Sequence, residues 1–201
     1  VFFAIVFQLS GGIYLGTLSN MMGTTSFMRE DVLMIGLCGV VGVCMPFPLL
    51  FRFKFRFTNR QLLLGAALGI ALCNLLCMHV QSIPVLCVIS FIAGFLKLCG
   101  TFECMSNIQL WMAPGRDFSI FFPLLYMIVV GCMNMSSWVA NQLTYHLGSW
   151  MMMHWFMIGL LLIVALTVYV LTRNVRLMPK APMISVDWLG CVLWSLFLLE
   201  G

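Results

Sequence analysis

The chain has 201 residues, of which 63% are hydrophobic and 8% charged, with a formal net charge of +4. A soluble domain carries roughly 45–50% apolar and about 25% charged residues, so this balance excludes a water-soluble globule and reads as an all-α integral membrane protein. Nine cysteines scattered through apolar runs without a C-x-x-C pair, and His79, His146 and His154 without metal-ligand spacing, point to no disulfide framework, metal or other cofactor.

A membrane-crossing helix needs about 20 mostly apolar residues. Six such stretches are expected at 1–27, 32–51, 61–80, 85–110, 118–142 and 150–171, then a basic linker over 172–186 and the start of a seventh span over 187–201. Both ends fall in or beside apolar runs, which reads as a piece of a longer polytopic chain. The opening run lacks a basic leader and a small-residue cleavage site, so it does not read as a signal peptide.

Orientation follows the cations. Arg52, Lys54, Arg56 and Arg60 lie after span two, Arg116 after span four, and Arg173, Arg176 and Lys180 after span six. By the positive-inside rule these three loops and the N-terminus are cytoplasmic, in a multi-pass protein of the cell (inner) membrane.

Span one carries Gln8, Ser10 and a Gly12–Gly16 small-xxx-small pair that permits close helix approach. Span two has Gly36, Gly39 and Gly42, then Pro46 and Pro48, which predict tight packing followed by a kink or an early end. The stretch FRFKFRFTNR reads as a cytoplasmic hairpin whose cations meet anionic headgroups or cap helix ends and whose phenylalanines sit at the interface, rather than as a nucleic-acid stripe. Span three repeats the small-residue spacing at Gly65 and Gly69 and holds one polar residue at depth, Asn74.

Span four is the candidate working helix, because it carries Lys97 near its middle and Glu103 further on. An ionisable group inside a span is expensive, and is usually paired, facing a protein interior or water, or in use. Six helical positions separate the two by roughly 9 Å along the axis and about 120° around it, so each is expected to seek company on a different neighbour. Lys97, Thr101 and Cys104 share one face; Gly100, Glu103 and Asn107 share another.

Span five offers Asn134, Ser137 and Asn141 on one face, beside Ser136 and Gln142, either to line a polar passage or to stitch helices together. Span six is almost uniformly apolar after His154 and is expected to stand against lipid. No enzyme constellation is visible: Ser136 and Ser137 with His146 or His154 lack the local glycine-rich motif of a membrane protease, and carboxylate pairs and phosphate-cradling loops are missing.

Six spans with a basic loop after the second, Gly115-Arg116-Asp117 after the fourth and a longer basic linker after the sixth resemble the N-terminal half of a major facilitator superfamily transporter. Val186-Asp187-Trp188-Leu189-Gly190 looks like the D-x-x-G opening of the linker helix in the fourteen-span drug:proton antiporter branch, and the Gly148-Ser149-Trp150 turn is similar too. Of that family's loop motif after span two, Arg56 and Arg60 are matched, while Phe55 stands where the acid would be. Before Gly94 the expected arginine is Ser90, and the glycine-proline signature of span five is largely lost. The resemblance implies a six-helix bundle of a major facilitator fold built as a 3+3 repeat, completed by a C-terminal half of the same chain. It further implies a secondary transporter working by alternating access, with proton-coupled efflux of small, bulky apolar molecules as the branch's default. On that reading Lys97 and Glu103 are the transport and proton-coupling candidates and Gln8, Thr101, Asn107, Asn134, Ser137 and Asn141 line the cavity. Arg52, Lys54, Arg56 and Arg60 belong to the cytoplasmic gating loop. The competing expectation is a non-transporting scaffold or sensor whose polar residues only join helices.

Overall fold

A computed structural model of the chain describes residues 1–22, 26–112, 119–174 and 188–200. These form eight helices and, among the described residues, no strand. In hydrocarbon no water is available to satisfy peptide groups, so apolar runs of this length close their backbone hydrogen bonds internally. The helices are α1 (Phe2–Met21), α2 (Arg29–Cys44), α3 (Phe47–Arg56), α4 (Asn59–His79), α5 (Ile83–Met112), α6 (Phe121–Leu147), α7 (Trp150–Leu171) and α8 (Trp188–Glu200).

Polar residues set the ends. Thr58 and Gln61 form a reciprocal capping box on α4, each side chain accepting from the other's backbone N–H at 3.4 and 3.1 Å. Ser149 caps α7 by accepting from the Met151 N–H, and Gly148, at φ +71°, takes the left-handed conformation that stops α6. Between α2 and α3 the axis turns by 51°. Pro46 has no N–H to continue the ladder of α2, whereas Pro48 lies in the first turn of α3, where none is needed.

That turn corrects the expectation for FRFKFRFTNR. Its first six residues, Phe51–Arg56, continue α3, with Leu50 and Lys54 facing inward one turn apart while Phe51, Arg52 and Arg56 are exposed. A helical period of 3.6, not the alternation of the letters, decides which cation enters the protein. Helix α1 ends at Met21, and α6 runs on to Leu147.

Three helices, Asn59–His79, Ile83–Leu110 and Trp150–Leu171, are each long and apolar enough to cross a membrane; there are up to five such spans if the bent pair α2–α3 and the two parts of α6 each count as one. The most extensive pairings are α2 with α5, α1 with α6, α4 with both α5 and α7, and α1 with α5 and α7. Phe7, Ala67, Ala140, Met153, Met157 and Leu161 meet in the larger core, and Ile35, Cys77, Leu86 and Ile89 in a smaller one. Helix α7 divides cleanly: Met153, Met157, Leu161, Val164 and Val168 are buried, while Trp155, Leu162, Ile163, Leu166 and Val170 face outward.

Small residues make the closest crossings. A methyl group added at Gly42 would overlap the Phe91 carbonyl, and one at Gly94 would overlap the Gly39 carbonyl. Helices α2 and α5 therefore touch backbone to backbone. On the other side of the bundle, a methyl at Gly16 of α1 would lie 2.5 Å from the Ala140 Cβ of α6.

Candidate functional site on helix α5

Helix α5 carries Lys97 and Glu103, and the surroundings of the two differ. Glu103 is 2% exposed and lies 3.6 Å from the ammonium of Lys54, itself 4% exposed. Helix α3 brings Lys54 there because the 51° bend after α2 turns it against α5. The Lys54 Nζ also stands 5.0 Å from the centre of the Phe102 ring, which meets Phe47 and Phe51 edge-on at 6.3 and 5.7 Å. The ammonium thus has a carboxylate and an aromatic face as neighbours in a place water barely reaches.

One turn further along α5, Asn107 donates to the Glu103 carbonyl at 2.7 Å. It also exchanges two hydrogen bonds with Asn59 at the start of α4, at 2.9 and 3.1 Å. A polar strip of Lys54, Glu103, Asn107 and Asn59 therefore joins α3, α5 and α4 at one end of the bundle. Beside it opens a cavity of about 470 Å³, lined chiefly by Phe3, Leu63, Ile108, Ile120 and Leu124 with the two asparagines. Of the cavity-lining candidates, Asn107 borders this space. Gln8, Thr101, Asn134, Asn141 and Lys97 do not.

Lys97 occupies the opposite situation. It is half-buried, near the midpoint of α5, at about 20 Å from either end of the helix by its rise. The Cys132 thiol on α6 interacts with it electrostatically, and no described carboxylate lies within ion-pairing distance. At the centre of a span a charge costs about 2.5–3.5 kcal/mol on insertion scales, and here no described acid offsets it. One turn on, Thr101 is 9% exposed and its hydroxyl has no hydrogen-bond partner among the described residues. Thr144 and Thr167 satisfy theirs by donating to the carbonyl four residues back, at 2.9 and 2.7 Å.

The other candidates scatter. Gln8 is buried in α1. Asn134 is exposed on α6 and donates to the Val130 carbonyl at 2.8 Å; Asn141 is exposed on the same helix. The side chain of Ser137 lies outside the described residues, as do Arg116, Arg176 and Lys180. Arg52 and Arg56 are exposed on α3, and Arg60 stacks its guanidinium 4.0 Å from the Tyr169 ring, tying the start of α4 to the end of α7.

Two polar contacts escaped the sequence reading. His154 of α7 meets Asn74 of α4 at 2.9 Å, both essentially buried. The Asn74 amide nitrogen already donates to the Ile70 carbonyl, so its oxygen accepts and the His154 Nδ1 carries the proton. Asn20 donates to Thr144 at 3.0 Å, joining α1 to α6. The available signal was that Asn74 and His154 are single polar letters in otherwise apolar runs, each needing a partner.

Fold and site together define a helical membrane protein with an ion pair at one end of its bundle and a cation without a described counter-ion at mid-depth. Compared with protein-family models, curated proteins and solved structures, the chain matches none.

Proposed function

We propose that the chain supplies one half of a secondary membrane carrier that moves small molecules by alternating access. The observation that supports this most is the pairing pattern of the helices. Let α1, α2–α3 and α4 be one triplet and α5, α6 and α7 the other. Exchanging them turns the α2–α5 contact into α6–α1 and α4–α5 into α7–α1, while α1–α5 and α4–α7 map onto themselves. The six most extensive pairings are thus closed under the exchange. Counting α1 as a sixth span beside the five that length and composition allow gives three per triplet, and an odd number makes the second run opposite to the first, as an inverted 3+3 repeat requires. Small-residue crossings in the two related helix pairs, Gly39 and Gly42 against Gly94 in one case and Gly16 against Ala140 in the other, support the same reading.

In this carrier the end bearing α3 is cytoplasmic, since its cations collect there. Glu103 then acts as a latch holding α3 to α5 through Lys54, and coupling to protons through Glu103 requires that latch to open. Lys97 belongs to the face visited by the cargo.

A second reading, a non-transporting scaffold or sensor, is favoured by the helix-joining roles of Asn59 with Asn107, Asn74 with His154 and Asn20 with Thr144. Accessibility decides between them. In the intact protein with its native cysteines replaced, single cysteines at Gln8, Lys97 and Asn134 are treated with membrane-impermeant thiol reagents from each side. A carrier exposes these positions from alternate sides; a scaffold leaves them unlabelled from at least one side under all conditions.

A further inference from the structure

We propose that Lys97 and Thr101 form a binding site for an anionic group, so that the molecules this half accommodates carry a carboxylate, sulfonate or phosphate. The inference rests on the carrier reading and adds the charge class of the cargo.

The argument is one of electroneutrality. The chain has six acidic residues: Glu30, Asp31, Glu103, Asp117, Asp187 and Glu200. Glu30 and Asp31 stand in the first turn of α2, where Asp31 accepts from the Met28 N–H at 2.9 Å. Glu103 is taken by Lys54. Asp117 and Asp187 lie outside the described residues, and Glu200 ends α8. The described interior therefore contains two ammonium groups and one carboxylate, and the carboxylate belongs to Lys54. An ammonium at mid-depth draws in an anion, because in a poor dielectric the attraction that water would screen is largely retained.

A second observation marks the place. The Thr101 hydroxyl, more than nine-tenths buried, lacks a partner among the described residues and does not fold back on the carbonyl of Lys97, the bond that Thr144 and Thr167 make in their own helices. Lys97 and Thr101 are four residues apart on one face of α5. Their spacing along the helix sets an ammonium and a buried, unbonded hydroxyl about one helical turn apart, two donors that one anion with several oxygens can engage together.

The test uses three probes sharing one fluorophore: dansylglycine (anionic), dansylamide (neutral) and dansylcadaverine (cationic). Each is titrated against the full-length protein in nanodiscs, and counterflow of each is followed in proteoliposomes. The expected result is dansylglycine binding at least tenfold tighter than dansylcadaverine. That preference is lost in Lys97→Gln, kept in Lys97→Arg and reduced several-fold in Thr101→Val, with thermal unfolding unchanged across the set. Equal binding of the three probes, no binding at all, or an anion preference that survives Lys97→Gln overturns the proposal. An anion preference that appears only after Glu200→Gln or Asp187→Asn overturns it too, since the chain then supplies its own counter-ion. Lys97-dependent anion binding without counterflow leaves the site standing and removes the carrier reading instead.

Discussion

Glu103 and Lys97 lie on one helix, six residues apart, and the bundle handles them in opposite ways. Glu103 is held in a network: Lys54 from α3, the Phe102 ring against that lysine, and Asn107 bonded to Asn59 one turn further on. Around Lys97 the described surroundings offer a thiol and a hydroxyl with no bond of its own. A charge that has been closed into a network serves the architecture, and removing it should damage the protein. A charge left open costs stability where it stands, so its removal should do no structural harm and should show only in what the protein binds or moves.

That contrast can be broken most forcefully at the pair. Glu103→Ala strands the Lys54 ammonium in a buried site and should cost about 3–5 kcal/mol, read as a lower midpoint of thermal unfolding in detergent. The double replacement Lys54→Met with Glu103→Leu should recover most of that loss, because apolar side chains of similar volume need no counter-charge. If the single and double variants unfold alike, the pair is not the element that holds α3 down.

The next effect is on the amides. Asn107→Leu leaves Asn59 buried without its two bonds and frees the Glu103 carbonyl, for an expected loss of about 1–3 kcal/mol. A smaller change follows Tyr169→Leu, which removes the ring under Arg60 and should cost about 0.5–1 kcal/mol. The smallest is Lys97→Met, for which stability should stay level or rise. A clear drop in the unfolding midpoint there would mean that Lys97 is a structural residue like Glu103, and the distinction between the two would collapse.

How far the letters alone reach can be judged from the same helices. Apolar runs made the helical membrane class plain, and Pro46 and Pro48 marked the break after α2. Thr58-x-x-Gln61 before an apolar run is a capping-box pattern that the hairpin reading of FRFKFRFTNR passed over. The fate of Lys54 was obscured because FRFKFRF alternates strictly, a pattern that suggests a surface ribbon, whereas a helix puts Leu50 and Lys54 on one inward face. The spacing along α5 did show that Glu103 and Asn107 share a face. It could not show that Asn59, 48 residues earlier, waits across the gap, since that contact exists only once α4 and α5 are packed. Asn74 and His154 are 80 residues apart and were hidden for the same reason. Lys97 was visible as a charge at depth; its lack of a described carboxylate partner is a property of the assembled neighbours.

The seam of α2 and α5 at Gly39, Gly42 and Gly94 has a mechanical result. With backbone against backbone at Gly42 and Gly94, little side-chain material lies between the two rods to shear, which favours their tilting together. Compliance is then left to the corner after Met45, where Pro46 has no N–H to continue the ladder. A swing of the two rods together would lever the short rod beyond the corner, and with it the ammonium it carries, toward or away from the acid it clasps.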